Sequence, residues 1–224
     1  MTENPDLSDH PPTPVPLDAV AQILGRSAAL GFLGSMPIDD QVDHAVGFRE
    51  AIEQQLGRPP AGFLDLGTGG GLPGLVLAAS WPGSRAVLFD ANERRTEFLS
   101  TEVEGWVRAV PVAVLRGRAE EAGHDPALVG SFEVVVARSF GTPAVTAECS
   151  APLVEPGGII VVSEPPDTRP GDRWPTDGLA VLGLRPASAF RYQGRFSYQI
   201  LEKTEETPER YPRRVGIPAK RPLF

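Results

Sequence analysis

Phe63-Leu-Asp-Leu-Gly-Thr-Gly-Gly-Gly-Leu-Pro-Gly74 is the stretch from which the fold of this chain is read. Phe63 to Leu66 is apolar apart from Asp65 and short enough to be a buried strand. Gly67, Gly69, Gly70 and Gly71 then form a loop with almost no side chains. Pro73 has a fixed φ and no N–H, which suits the first turn of a helix that Leu75-Val-Leu-Ala-Ala79 continues. A strand that ends in glycines and turns into a helix lets a ligand lie on bare backbone. Free N–H groups and the positive end of the helix dipole then face that ligand.

Two ligand classes fit these residues. Gly69-x-Gly71-x-x-Gly74 has the spacing of a dinucleotide fingerprint. Asp65-x-Gly67-x-Gly69-x-Gly71 resembles the S-adenosylmethionine loop of Rossmann-like methyltransferases. Two details favour the second. Asp65 sits at the strand end, where it can face an ammonium or sulfonium group, and the helix opens at Pro73, later than a dinucleotide fingerprint places it.

Downstream, Trp81-Pro-Gly83 is a turn and Arg85 to Asp90 reads as a second strand ending in an acid. An acid there can accept hydrogen bonds from ribose hydroxyls, and it disfavours a 2′-phosphate. A helix opens at Asn92, with Phe98, Leu99, Val103 and Trp106 as its buried face. Val110 to Leu115 is a third strand, and Phe132 to Ala137 a fourth, apolar enough to be central in a parallel sheet. Arg138-Ser139 falls at its C-terminal end, the edge where open α/β sheets bind ligands. Ala144 to Leu153 reads as helix, Pro156-Gly157-Gly158 as a turn, Ile159 to Val162 as a fifth strand and Asp167 to Asp177 as loop. Leu184 to Tyr192 and Phe196 to Leu201, joined by Gln193-Gly194-Arg195, read as a closing hairpin.

Upstream, residues 1–16 hold five prolines and few apolar residues and read as a disordered leader, with His10 merely solvated. Apolar residues at helical spacing predict a helix from Leu17 to Leu33, interrupted at Gly25 and Gly31, and a second from Ile38 to Leu56. Residues 17–60 are therefore a helical extension, and 61–224 the core with a basic tail. His44 has no metal-ligand companion in sequence, so a packing role is expected. The pattern is α/β, with a doubly wound, mostly parallel sheet and an antiparallel edge strand.

Length and composition set the outer bounds. A chain of 224 residues can bury a full core. A net charge of -8 gives no general attraction to phosphate, so any nucleic-acid site is a local basic patch. The single cysteine, Cys149, excludes an internal disulfide and suits a core position in a reducing compartment. There is no membrane-spanning run and no signal peptide, so a cytoplasmic protein is expected. No metal-ligand cluster is visible in the spacing.

The resemblance becomes specific when further segments are added. Asp65 to Gly74 looks like the loop of the bacterial 16S rRNA guanine-N7 methyltransferases, the glucose-inhibited division protein B family. Arg94-Arg-Thr-Glu-Phe-Leu99, Arg116-Gly-Arg-Ala-Glu-Glu121, Val136-Ala-Arg-Ser-Phe140 and Pro152-Leu-Val-Glu-Pro-Gly-Gly158 match in order. The tail Tyr211-Pro-Arg-Arg-Val-Gly-Ile-Pro-Ala-Lys-Arg-Pro-Leu223 completes the likeness, which runs from about Gly31 to the end.

The resemblance implies a class I methyltransferase fold, S-adenosyl-L-methionine as cofactor and 16S rRNA or the small ribosomal subunit as partner. Gly67, Thr68, Gly69, Gly71 and Leu72 would hold the methionine part, with Asp65 beneath. Asp90 and Ala91 would meet the ribose, Ala119 and Glu120 the adenine. Arg138 would face the methyl-transfer site as the catalytic residue. Arg213, Arg214, Lys220 and Arg221 are the candidates for touching RNA, and Tyr211 could stack on a base. The plain alternative for each of these side chains is a surface ion pair or a helix cap.

Two segments depart from the family. Its usual Arg-His-Leu-Leu-Asp/Asn-Ser is Asp43-His-Ala-Val-Gly-Phe48 here, and its Lys-Gly pair after the fifth strand is Ser163-Glu164. Both face the substrate side in the family, so a small-molecule acceptor stays open beside rRNA, as does a non-catalytic cofactor-binding role at the ribosome. Guanine N7 attacks a methyl group without first losing a proton, so the absence of a Cys-His or Ser-His-Asp set fits such a transfer.

Overall fold

The structure, a computed structural model, describes residues 15–106, 110–166, 169 and 171–224. The expected leader and His10 lie outside these residues, apart from Val15 and Pro16. In chain order the elements are helices α1 (Leu17–Ala29) and α2 (Ile38–Leu56), strand β1 (Gly62–Leu66), α3 (Gly74–Ser80), β2 (Arg85–Asp90), α4 (Glu93–Val103) and β3 (Val112–Arg116). They continue as α5 (Ala119–Ala122), β4 (Phe132–Ala137), α6 (Pro143–Ser150), β5 (Val154–Glu164), α7 (Thr176–Ala180), β6 (Leu184–Tyr192), β7 (Phe196–Lys203) and α8 (Ile217–Lys220).

The strands form one sheet in the order β3-β2-β1-β4-β5-β7-β6, so β4 is the middle strand of seven. The first five are parallel, while β7 runs antiparallel to both β5 and β6. Strand periodicity of two sends alternate side chains to opposite faces. Phe63, Leu88, Val134, Val136, Ile159 and Val161 pack with α1, α2, α3 and α4. Leu64, Leu66, Val87, Phe89, Val135 and Ile160 pack with α5, α6, α7 and the tail. Covering both faces is what allows β1 and β4 to be almost wholly apolar.

Four sequence expectations are corrected. Gly25 does not interrupt α1; the chain leaves the helix near Gly31, whose φ of 75° suits a residue without a side chain. The helix after the loop begins at Gly74, with Pro73 as its N-cap residue. Pro156-Gly157-Gly158 is no turn between elements but lies inside β5, at a register shift where pairing passes from Phe132–Val154 to Val134–Ile159. The extra residues are absorbed as a bulge, with Gly157 at φ 89°. The loop expected up to Asp177 ends earlier, because α7 starts at Thr176; positions 167, 168 and 170 lie outside the described residues.

The edge hairpin is joined to α2 by one close approach. The Tyr198 hydroxyl donates to the His44 carbonyl at 2.6 Å, and a Cβ on Gly47 would stand 2.1 Å from that hydroxyl. His44, Phe48 and Phe190 surround the same ring. Helix propensity alone would make Gly47→Ala stabilising by about 1 kcal/mol. Overpacking a stiff buried ring costs about 1–3 kcal/mol and should win. Denaturant unfolding should find Gly47→Ala less stable than the wild type; equal or greater stability would show that Tyr198 moves aside freely.

Candidate functional site

The glycine stretch lies at the carboxyl edge of the sheet, between β1 and α3. Asp65 is fully buried beneath it, and its Oδ2 accepts the Gly74 N–H at 2.7 Å. A Cβ on Gly74 would lie 2.6 Å from that oxygen and 2.2 Å from Leu88, so only glycine lets α3 pack this close to the strands. Most of the loop's N–H groups are used internally. Gly67 and Thr68 donate to the Phe89 carbonyl, Gly71 and Leu72 to the Thr68 carbonyl, and Gly69 to Asp90 Oδ2. This corrects the expectation of free N–H groups aimed at a ligand. The bend offers space, together with the buried acceptors Asp65 Oδ1 and Thr68 Oγ1, which have no hydrogen-bond partner. Unpaired acceptors suit a cationic ligand better than a pyrophosphate.

Burial drives the Asp65 carboxyl up to about 7, against the opposing pull of the nearby Thr68 hydroxyl, the Gly74 N–H and the Arg138 charge. Asp90, at the end of β2, accepts from Gly69 N–H at 2.9 Å and from Asn92 N–H at 2.8 Å, one bond on each oxygen. Each oxygen keeps a second lone pair, so the carboxylate can still accept ligand hydroxyls.

A cavity of about 440 Å³ opens beside the bend, lined by Gly67, Asp90, Ala91, Ala119, Glu120 and Phe140 among others. Its size falls in the range of small-molecule sites. Val145 and Cys149 of α6 give it an apolar wall. Burial pushes the Cys149 thiol up to about 12, which makes it a wall rather than a nucleophile. The residues thus fit a nucleoside with a cationic chain: an acid for the ribose, an apolar slot for the base and unpaired acceptors under the glycines. Glu120 is less free than expected, because its Oε1 accepts the Gly216 N–H at 2.9 Å.

Phe140 and Gly141 also border a second cavity of about 310 Å³, lined by Met36, His44, Arg138, Ser163, Glu164, Arg173 and Trp174. The chain reaches it through Ser139, whose φ of 53° is strained for a residue with a side chain. Arg138 donates to Gln41 Oε1 at 3.3 Å, while its buried Nη1 is unpaired. His44 Nδ1 is also unpaired, and burial first, then the Arg138 charge, lowers that imidazole to about 3, so it is neutral. Glu164 accepts from Arg173 at 2.9 Å and from Trp174 Nε1 at 3.0 Å.

The structure therefore brings Gly67, Asp90, Ala91, Ala119 and Glu120 together in one cavity. Arg138 lies in the adjoining one, and Asp65, Gly71 and Leu72 are buried in support of the bend. Arg213 is not free on the surface: its backbone N–H and guanidinium all bond the buried Glu148. Arg214, Lys220 and Arg221 are exposed. Sequence reading missed His44, Arg173 and Trp174 as cavity residues, and Gln41 as the partner of Arg138. Only the three-residue spacing of Gln41 and His44 on one helix face could have hinted at their joint position. A larger groove of about 710 Å³ lies away from the bend, near the start of β5. Among the described residues no group of three or more His, Cys, Asp or Glu could hold a metal, and no helix is long and apolar enough to cross a membrane.

Sheet order, glycine bend, ribose-type acid and flanking cavities together define a Rossmann-like methyltransferase. Solved structures share this fold: an O-methyltransferase from Bacillus cereus, in complex with SAH, superposes with a TM-score of 0.59 at 15% identity, covering 83% of this chain and 91% of that one. The 1,6-didemethyltoxoflavin-N1-methyltransferase of Burkholderia thailandensis gives 0.54 at 17% identity, covering 87% and 94%. The family profile of rRNA small subunit methyltransferase G matches residues 43–164. Ribosomal RNA small subunit methyltransferase G from Leuconostoc mesenteroides is 32% identical over 76% of this chain and 73% of its own length. The Prochlorococcus marinus protein of that name is 34% identical over 76% and 71%. The chain belongs to the rRNA small subunit methyltransferase G family and is a methyltransferase that uses S-adenosylmethionine.

The Asp65 carboxyl carries a pH signature. Its ordinary value is 3.8 and its folded value about 7. The folded state thus holds the proton more tightly, and the resulting stability is complete below pH 4 and lost as pH rises through 7. Asp65→Asn keeps an acceptor for Gly74 and removes this dependence. From pH 5 to pH 8 the wild type should lose roughly 2 kcal/mol of unfolding free energy more than Asp65→Asn. Parallel losses would contradict the assignment.

Proposed function

We propose that this enzyme methylates N7 of a guanine in the 16S rRNA of the small ribosomal subunit, and works in the cytoplasm where that subunit is made. The observation that carries the reading is the pair of cavities meeting at Phe140 and Gly141. One fits the methyl donor, and the other is large enough for a planar base turned out of its stack. Membership of the family and the names of its relatives support rRNA as the acceptor.

The geometry supports the following roles. Asp90 and Ala91 would bind the ribose, Ala119 and the apolar α6 wall would take the adenine, and Gly67, Thr68 and Gly69 would give room for the methionine chain above Asp65. The bound cofactor supplies an electrophilic methyl on a sulfonium. Transfer of that methyl to N7 would form an N–C bond as the C–S electrons return to sulfur and would release no proton, so this chain need supply no base. The neutral His44 fits a step that moves no proton. Arg138, with its unpaired Nη1, is the group placed to hold the acceptor by an oxygen, and alignment rather than acid–base chemistry supplies the rate. Arg214, Lys220 and Arg221 are proposed to meet RNA phosphates, whereas Arg213 serves to fasten the tail.

A small-molecule acceptor is the second reading. It is favoured by Ser163-Glu164, which stands where the resembled family has Lys-Gly: the lysine is missing and an acid, fixed by Arg173 and Trp174, is added. Incubation with methyl-labelled S-adenosylmethionine and 30S subunits or stripped 16S rRNA, followed by mass spectrometry of nucleosides, should find label in 7-methylguanosine. Label only in a metabolite extract would replace rRNA by a small acceptor, and label in neither would overturn catalysis.

A further inference from the structure

The C-terminal segment has two chemically different sides. Inward, Gly216 and Ala219 line the cavity assigned to the methyl donor, opposite Asp90 and Ala91. The Gly216 N–H is tied to Glu120 Oε1, the carboxylate beside the adenine slot. Pro218 is buried, and Gly216 takes a φ of 78° that turns the chain into α8. Outward, Arg214, Lys220 and Arg221 are exposed and have no side-chain partner among the described residues. No acid occurs from Arg210 to Phe224, in a chain whose net charge is -8.

This segment is fastened at both ends. Arg213 bonds Glu148, which is wholly buried on α6, through its backbone N–H at 2.8 Å and its guanidinium at 2.9 and 2.7 Å. Phe224 packs over Gly178, where a Cβ would lie 2.4 Å from the ring. Between these points, among the described residues, the only hydrogen bond to a side chain of the core is the one from Gly216 to Glu120.

We infer that residues 214–221 form a wall shared by two ligands: their inner side closes the methyl-donor cavity, and their outer side binds RNA phosphates, so the two bind with positive coupling. Either ligand favours the same closed position of these eight residues, so the first to bind prepares that position for the second. Linkage makes the effect reciprocal: RNA strengthens donor binding by the factor by which donor strengthens RNA binding. Donor binding first would thus prepare the basic face for rRNA. The inference rests on the rRNA reading above.

Calorimetry on the full-length protein with S-adenosylhomocysteine, alone and with saturating stripped 16S rRNA, tests it. The wild type should bind S-adenosylhomocysteine about fivefold or more tightly in the presence of RNA, and RNA by the same factor in the presence of S-adenosylhomocysteine. The triple variant R214E/K220E/R221E should keep the RNA-free affinity within about twofold and lose the gain, since phosphate contacts depend on those charges. Ala219→Trp, or Ala219→Leu if the larger residue disturbs folding, should fill the inner side and weaken S-adenosylhomocysteine binding by about tenfold. RNA that binds without altering cofactor affinity overturns the coupling and leaves the rRNA reading standing. Absence of RNA binding to the wild type overturns both. Undiminished affinity in a folded Ala219 variant overturns the inner wall.

Discussion

The hydrogen bond from Gly74 N–H to the buried Asp65 carboxyl fixes the shape of the bend on which the site is built. It holds the start of α3 against β1, and it works only because position 74 has no Cβ to push the two apart. A carboxyl with no exposure is costly to charge, so its affinity for the proton rises until it titrates near neutrality. The same bond turns the helix N-terminus inward. An anion arriving from solvent meets N–H groups already spent within the bend. The bend therefore offers a pyrophosphate few of the donors that its glycine spacing alone would suggest.

From that bend the two cavities follow by topology. The parallel strands β1, β2 and β4 all end at one edge, and the change of direction between β1 and β4 opens the crevice there. Asp90 at the end of β2 and Arg138 just after β4 reach it from the strands on either side of β1, and Phe140 stands between the two spaces. A Cβ on Gly67 would lie 2.6 Å from that ring, so the first glycine of the loop makes room for the partition between donor and acceptor.

Much of this was legible in the sequence. The run Phe132–Ala137, apolar but for Glu133, read as a strand covered on both faces, and it is the middle strand. Local order alone put Asp90 at a strand end beside the glycine loop, and the structure finds it there, lining the cavity. Pro156-Gly157-Gly158 misled because a bulge uses the residues of a turn, and only pairing with β4 distinguishes them. Arg213 read as one cation of a basic tail; its partner Glu148 is 65 positions away, beyond the reach of local pattern. The pairing of Gln41 with Arg138 spans 97 positions and was hidden for the same reason.

The most direct test is a crystal structure of the protein with S-adenosylhomocysteine. The account predicts the ribose hydroxyls on Asp90, the adenine between Ala119 and the α6 wall with Gly216 alongside, and the amino acid chain over Gly67 to Gly69. Ligand density in the groove near the start of β5, with the glycine bend empty, would contradict it.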